Sequence, residues 1–171
     1  MSIKSFNDFL TENTKECAFV FGRFNPPTNG HELLFDKLKN AARSNPYRIY
    51  TSKSMDAKKN PLDFKTKVKY LRKMFPKHAR SVIADSDVRT VFDIVVKLYD
   101  QGFTKVTMVV GSDRLKEFDI LLNKYNGVDG RHGFYNFEGI NVVSAGTRDP
   151  DSENADGMSA SKMRHAVSQN D

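Results

Sequence analysis

A chain of 171 residues and 19.4 kDa is long enough for one domain with its own core and too short for two of ordinary size. With 39% hydrophobic and 28% charged residues and a mean hydropathy of −0.56, it has the profile of a soluble globular protein, and no window approaches the roughly 18 apolar residues of a membrane span. The net charge of +6 is concentrated: residues 37–80 hold 14 Lys or Arg against 2 Asp or Glu, which implies an anionic partner (phosphorylated small molecule, nucleic acid or acidic surface) or a solvated lysine-rich helix face.

The chain begins without the apolar core and cleavage site of a secretory signal. Cys17 is the single cysteine, so an intrachain disulfide and a cysteine-rich zinc site are excluded, and a reducing, cytoplasmic compartment is expected. An apolar run at residues 18–21 ends at Gly22 and reads as a buried strand. Leu34, Leu38, Ala41 and Ala42 then follow at helical spacing, and residues 48–51 read as a second strand after Pro46. A polar stretch at 52–60 ends in Lys58 and Lys59, and Pro61 suits the first turn of a helix. In that helix Phe64, Val68, Leu71 and Phe75 form one stripe, Lys65, Lys69, Arg72 and Lys73 lie largely off it, and Pro76 stops it.

Residues 81–84 read as a third strand. Val91, Ile94, Val95, Leu98 and Tyr99 form a helix closed by Gly102. The β-branched run at 106–110 is the best central strand and ends at Gly111. Leu115, Phe118, Leu122 and Tyr125 make a further helical stripe, and residues 140–143 a fifth strand. A polar loop at 146–156 leads to a last helix starting near Ser159. This alternation predicts one α/β domain, a five-stranded parallel sheet with helices on both faces. Ligands of such sheets bind beyond the carboxyl ends of the strands, where residues 22–31, 111–114 and 146–164 fall.

The first of these segments is Gly22-Arg23-Phe24-Asn25-Pro26-Pro27-Thr28-Asn29-Gly30-His31. Its prolines and glycines make a rigid turn, Gly30 lets backbone approach a ligand, and His31 falls in the first turn of a helix, where the dipole favours anions. The plainer reading is a proline-rich loop with a helix cap at Thr28 or Asn29. Thr28-Asn29-Gly30-His31 resembles the (H/T)xGH signature of the nucleotidyltransferase superfamily, and the Gly-Arg-Phe-Asn-Pro opening is most similar to the nicotinamide mononucleotide adenylyltransferase branch. Thr28 stands where many members have histidine, and it cannot carry positive charge.

Met158-Ser159-Ala160-Ser161-Lys162-Met163-Arg164 resembles the superfamily's second signature, ISSTxxR, and otherwise reads as an ordinary helix cap. Gly111-Ser112-Asp113-Arg114 resembles the GxD turn that lies against the nucleotide's ribose and base; a helix cap is again the plainer reading. No GxGxxG or GxxxxGK[ST] motif occurs. The resemblance spans most of residues 17–165 and implies a Rossmann-like fold. It also implies transfer of a nucleoside monophosphate, AMP rather than CMP, from ATP (or CTP) with Mg²⁺ to a phosphorylated acceptor such as nicotinamide mononucleotide, releasing pyrophosphate.

It assigns catalysis to His31, Thr28 and Arg164, and nucleotide or phosphate contacts to Gly22, Arg23, Phe24, Asn25, Gly30, Gly111, Asp113, Arg148, Ser159 and Ser161. Lys58 and Lys59 are candidates for the acceptor phosphate, or belong to a solvated loop. His78, His132 and His165 show no ligand spacing and read as surface or packing residues; no protein metal site is expected. Many superfamily members are homo-oligomers. Alternatives are a weakly catalytic nucleotide-binding virion protein and a basic nucleic-acid-binding module, which would lack an aromatic-interleaved or groove-reading motif.

The first 12 residues differ in character. Phe6, Phe9 and Leu10 share a short helical face, and Leu10-Thr11-Glu12 resembles the (L/I)xE site of prohead proteases of large tailed phages. That likeness implies a cleavable targeting segment at 1–12, a nucleotidyltransferase-like domain at 13–171, phage capsid association, and residence in the host cytoplasm or the virion. A helix docked on the domain is the plainer reading.

Overall fold

The computed structural model describes residues 15–53 and 62–145. The N-terminal segment, Lys58, Lys59, the loop expected at 146–156, Arg148 and the last helix expected near Ser159, with Ser161, Arg164 and His165, lie outside the described residues.

The described elements alternate as expected. They are β1 (Glu16–Gly22), α1 (Gly30–Ala42), β2 (Tyr47–Thr51), α2 (Phe64–Met74), a 3₁₀ helix (Pro76–Ser81), β3 (Val82–Ile83), α3 (Val91–Asp100), β4 (Lys105–Val110), a short 3₁₀ turn (Ser112–Arg114), α4 (Leu115–Lys124) and β5 (Gly139–Ser144). All strands pair in parallel, in the order β3-β2-β1-β4-β5. This is the expected five-stranded Rossmann-like α/β fold.

Alternation along β1 explains the layers, because successive side chains point to opposite faces. Cys17 and Phe19 join the core under α3 and α4, with Val91, Ile94, Val95, Leu98 and Leu122. Ala18 and Val20 join the core under α1 and α2, with Leu34, Phe35, Leu38, Val68 and Leu71. Both faces of the sheet are therefore covered, as an all-parallel sheet requires. Among the described residues no helix is long and apolar enough to cross a membrane.

Several boundaries differ from the sequence reading. α2 begins at Phe64 rather than near Pro61, because Asp63 caps it by accepting from the Thr66 N–H at 2.7 Å. The third strand shrinks to two residues because the 3₁₀ helix after Pro76 runs through Ser81. Ala41 is exposed, and Phe35, off the expected stripe, is buried instead. On α4 only Leu122 is fully buried, and Tyr125 follows the helix end.

The order of strands places the site. The chain crosses from β1 to β2 on one side, then returns to place β4 on the other side of β1. The connections leaving β1 and β4 therefore diverge and open a crevice between their carboxyl ends. Gly22 ends β1, Val110 ends β4, and Ala145, just past β5, donates its N–H to the Val110 carbonyl at 2.8 Å. The first two segments singled out in the sequence, and the residue that precedes the third, thus lie at one edge of the sheet.

Candidate functional site

The turn from β1 into α1 is a cross-tied unit. At its start Phe24 adopts φ 45°, a left-handed conformation rare for a bulky residue. This folds its ring back over Gly22, where a Cβ would lie 2.6 Å from the Phe24 Cζ. Gly22 is thus required to seat Phe24, a use different from contact with a ligand. The Asn25–Pro26 peptide is cis. The buried Phe24 ring meets His31 edge-on at 4.8 Å and Phe35 at 5.4 Å, and Phe35 stacks with His31 at 6.4 Å.

His31 is wholly buried. Its Nδ1 accepts from the Thr28 backbone N–H at 2.9 Å and lies 3.3 Å from Thr28 Oγ1. An acceptor Nδ1 leaves the proton of the neutral ring on Nε2. Two aromatic neighbours and one backbone N–H therefore fix both the plane and the tautomer of the imidazole. The result is an oriented N–H donor in the first turn of α1, where backbone amides and the helix dipole favour phosphate. The expected helix cap is not seen: neither Thr28 nor Asn29 caps α1 with its side chain, and the Thr28 hydroxyl faces the imidazole instead.

The same turn is stapled to its neighbours. The Ser52 N–H donates to the Gly22 carbonyl at 2.9 Å, and Thr51 Oγ1 donates to the Arg23 carbonyl at 3.1 Å. The Asn25 amide pairs with both backbone groups of Leu62, donating at 2.7 Å and accepting at 2.8 Å. Phe24 and Asn25, expected among the nucleotide contacts, thus have side chains engaged inside the protein: one packs the histidine, the other anchors the start of α2. The Arg23 side chain and Asn29 are exposed at the turn, and Gly30 is half-buried.

Lys67 is the residue the sequence reading passed over. It lies on the buried side of α2 and is completely enclosed. Its Nζ donates to the Arg23 carbonyl at 3.0 Å and to the Ser52 carbonyl, and lies 3.5 Å from Ser52 Oγ. Burial, reinforced by the Arg23 charge, pushes Lys67 down to about 8. The signal was in the spacing: Lys67 stands three residues after Phe64 and four before Leu71, on the apolar stripe itself.

The turn after β4 is built differently. Gly111 has an ordinary extended conformation (φ −65°, ψ 151°), and the Arg114 N–H donates to its carbonyl at 3.0 Å. Ser112, Asp113 and Arg114 are exposed. The Arg114 guanidinium sits 5.1 Å over the Phe118 ring and 3.7 Å from Glu117. Asp113 therefore presents its carboxylate to solvent on the β4 side of the crevice. No side chain caps the 3₁₀ turn, so the expected cap by Ser112 or Asp113 is not seen here either.

The other described histidines, His78 and His132, pack. His78 is buried, its Nδ1 2.8 Å from the Tyr47 hydroxyl and its Nε2 2.8 Å from an Asp36 carboxylate oxygen. His132 nests among the rings of Phe92, Tyr125 and Tyr135. The Cys17 thiol is buried and pushed up to about 11 by burial, which makes it a poor nucleophile.

The chain matches the family described as cytidylyltransferase-like over residues 19–166. A search of curated proteins finds no significant match to the chain. The match extends over most of the sequence, includes the β1–α1 turn and the β4 turn, and reaches the second signature at Ser159–Arg164. The chain belongs to the cytidylyltransferase-like family, and by class it is a nucleotidyltransferase that uses a nucleoside triphosphate.

Proposed function

We propose that the chain transfers a nucleoside monophosphate, AMP in preference to CMP, from its triphosphate to a phosphorylated acceptor such as nicotinamide mononucleotide, with release of pyrophosphate. The observation that carries this reading is the locked His31 imidazole, an oriented N–H donor in the first turn of a helix that starts beside the sheet's switch point. The acceptor phosphate oxygen attacks the α-phosphorus in line, the bond to the bridging oxygen breaks, and pyrophosphate leaves with the electron pair. Such a reaction needs positioning and charge stabilisation more than covalent chemistry.

In this reading the His31 Nε2–H donates to an α-phosphate oxygen. Thr28 acts mainly through the ring, holding Nδ1 as acceptor. Ser159, Ser161 and Arg164 of the second signature hold the β- and γ-phosphates, Arg148 adds a phosphate contact, and Lys58 and Lys59 take the acceptor phosphate. Asp113 accepts from a ribose hydroxyl while Gly111 allows the sugar close to the backbone. Among the described residues no three His, Cys, Asp or Glu side chains gather to hold a metal ion. In this reading Mg²⁺ enters with the triphosphate as part of the substrate. The preference for AMP rests on the similarity at Gly22–Asn25 and Gly111–Asp113.

Pyrophosphate release tests the reading. ATP and CTP are each offered with Mg²⁺ and a panel of phosphorylated acceptors. Release that depends on one acceptor supports it, faster release with ATP supports the AMP preference, and no release with any pair rejects it. The tailed-phage reading of residues 1–12 has its own test, mass spectrometry of particles for a chain beginning at Asn13.

A second reading has one observation in its favour. Lys65, Lys69, Arg72 and Lys73 are exposed on α2, and residues 64–84 contain no Asp or Glu. A nucleic-acid surface there would lose affinity steeply with salt, whereas a compact triphosphate site would not, so a salt titration against both ligands separates the two.

A further inference from the structure

An ammonium group shut away from water is costly unless something offsets its charge. Lys67 is such a group, and among the described residues no opposite charge offsets it. The turn after β1 presents a carbonyl and a second cation, Arg23; the loop after β2 presents the carbonyl and hydroxyl of Ser52. Among the described residues no carboxylate pairs with it; the other ion pairs lie at Asp36, Asp85 and Glu117. Carbonyl dipoles hold the ammonium in place, but the described residues around it leave its positive charge unbalanced.

The position is informative. The Arg23 carbonyl opens the turn that carries His31, and Ser52 opens the loop that leads toward Lys58 and Lys59. One side chain from α2 thus joins the exits of two adjacent strands at the edge where the crevice lies. A methionine would fill the same volume without charge, so packing alone does not call for lysine here.

We propose that Lys67 is a positioning residue of the nucleotide site: its ammonium ties the turn after β1 to the loop after β2, and its buried charge is balanced by the phosphates of the bound nucleoside triphosphate. This rests on the nucleotidyltransferase reading above. With burial and Arg23 already holding Lys67 down to about 8, a phosphate tail nearby favours the charged form again. Binding near pH 8 then draws a proton from solvent onto Lys67, and affinity falls as pH rises past that value.

Calorimetry of the full chain at pH 8 reads this directly. MgATP and MgCTP are titrated in two buffers of different ionisation heat, which gives the protons taken up per nucleotide bound. The wild-type chain is expected to take up a fraction of a proton. Lys67→Arg, whose charge does not titrate in this range, should bind within a few-fold of wild type with no uptake and with a KM that stays flat where the wild-type KM climbs above pH 8. Lys67→Met should bind about tenfold more weakly and without uptake, as loss of charge-assisted hydrogen bonds implies. Wild-type binding without proton uptake, or undiminished binding by Lys67→Met, overturns the role of Lys67 and leaves the nucleotidyltransferase reading standing. Should Lys67→Met not fold, Lys67→Arg decides, and persistence of the uptake in that variant rejects the proposal. A wild-type chain that binds neither nucleotide overturns both.

Discussion

The two turns that face the crevice are built on opposite plans. The turn after β1 buries Phe24, Asn25, Thr28 and His31 and is tied to β2, to the start of α2 and to Lys67. The turn after β4 exposes Ser112, Asp113 and Arg114, and the described contacts there are a local backbone hydrogen bond, a loose ion pair and the Arg114 guanidinium over Phe118. Buried, over-determined geometry suits a group that must meet developing charge without reorganising. Exposed side chains on a short turn suit recognition, where small changes tune which nucleotide is held. On the proposed function, the comparison predicts that rate belongs to the first turn and nucleotide selection to the second.

The largest effect is expected at His31. The ring is part of the core, so alanine would confuse lost chemistry with a cavity. Asparagine retains an atom near Nδ1 and loses the Nε2 donor; glutamine reaches nearer to the Nε2 position. His31→Asn should lower kcat by about 10²- to 10³-fold, and His31→Gln by less, with both variants folded by circular dichroism. Equal losses in the two would detach the rate from the Nε2 donor.

Next comes Gly22→Ala. The new Cβ meets the Phe24 ring, and that ring is pinned between His31 and Phe35. Urea unfolding should show a loss of about 1–3 kcal/mol with an unchanged slope, together with reduced turnover as His31 shifts. A neutral result would mean that Phe24 has another place to go and does not set the histidine.

Smaller effects should separate the turns. Asp113→Asn is expected to raise KM for the nucleotide several-fold with kcat and stability nearly unchanged, the pattern of lost uniform binding. Thr28→Val keeps the backbone N–H that holds Nδ1 and removes only the hydroxyl, so kcat should fall no more than about fivefold, the worth of one neutral hydrogen bond. A larger fall would place the Thr28 hydroxyl on phosphate. A kcat effect at Asp113 would undo the division between rate and selection.

Much of this frame is legible in the sequence. Every strand and helix expected within the described residues is present, because apolar runs of four or five residues alternate with stripes at helical spacing. The β1–α1 turn is legible because its composition is unusual. What is not legible depends on distant partners. Nothing local tells that Gly22 must accommodate the ring of Phe24, or that Asn25 will reach the backbone of Leu62, 37 positions away. Lys67 is the instructive case: its place on the apolar stripe of α2 marks it as buried, but the assumption that lysine faces water hides it.

The central claim is that the His31 Nε2–H points at the phosphates of a bound triphosphate, and nitrogen-15 NMR of the His31 ring tests it most directly. Nδ1 should show the unprotonated, hydrogen-bonded signature with and without nucleotide, and the Nε2 proton should move downfield when MgATP or MgCTP is added. An Nε2 proton that does not respond to a nucleotide shown to be bound would contradict the claim.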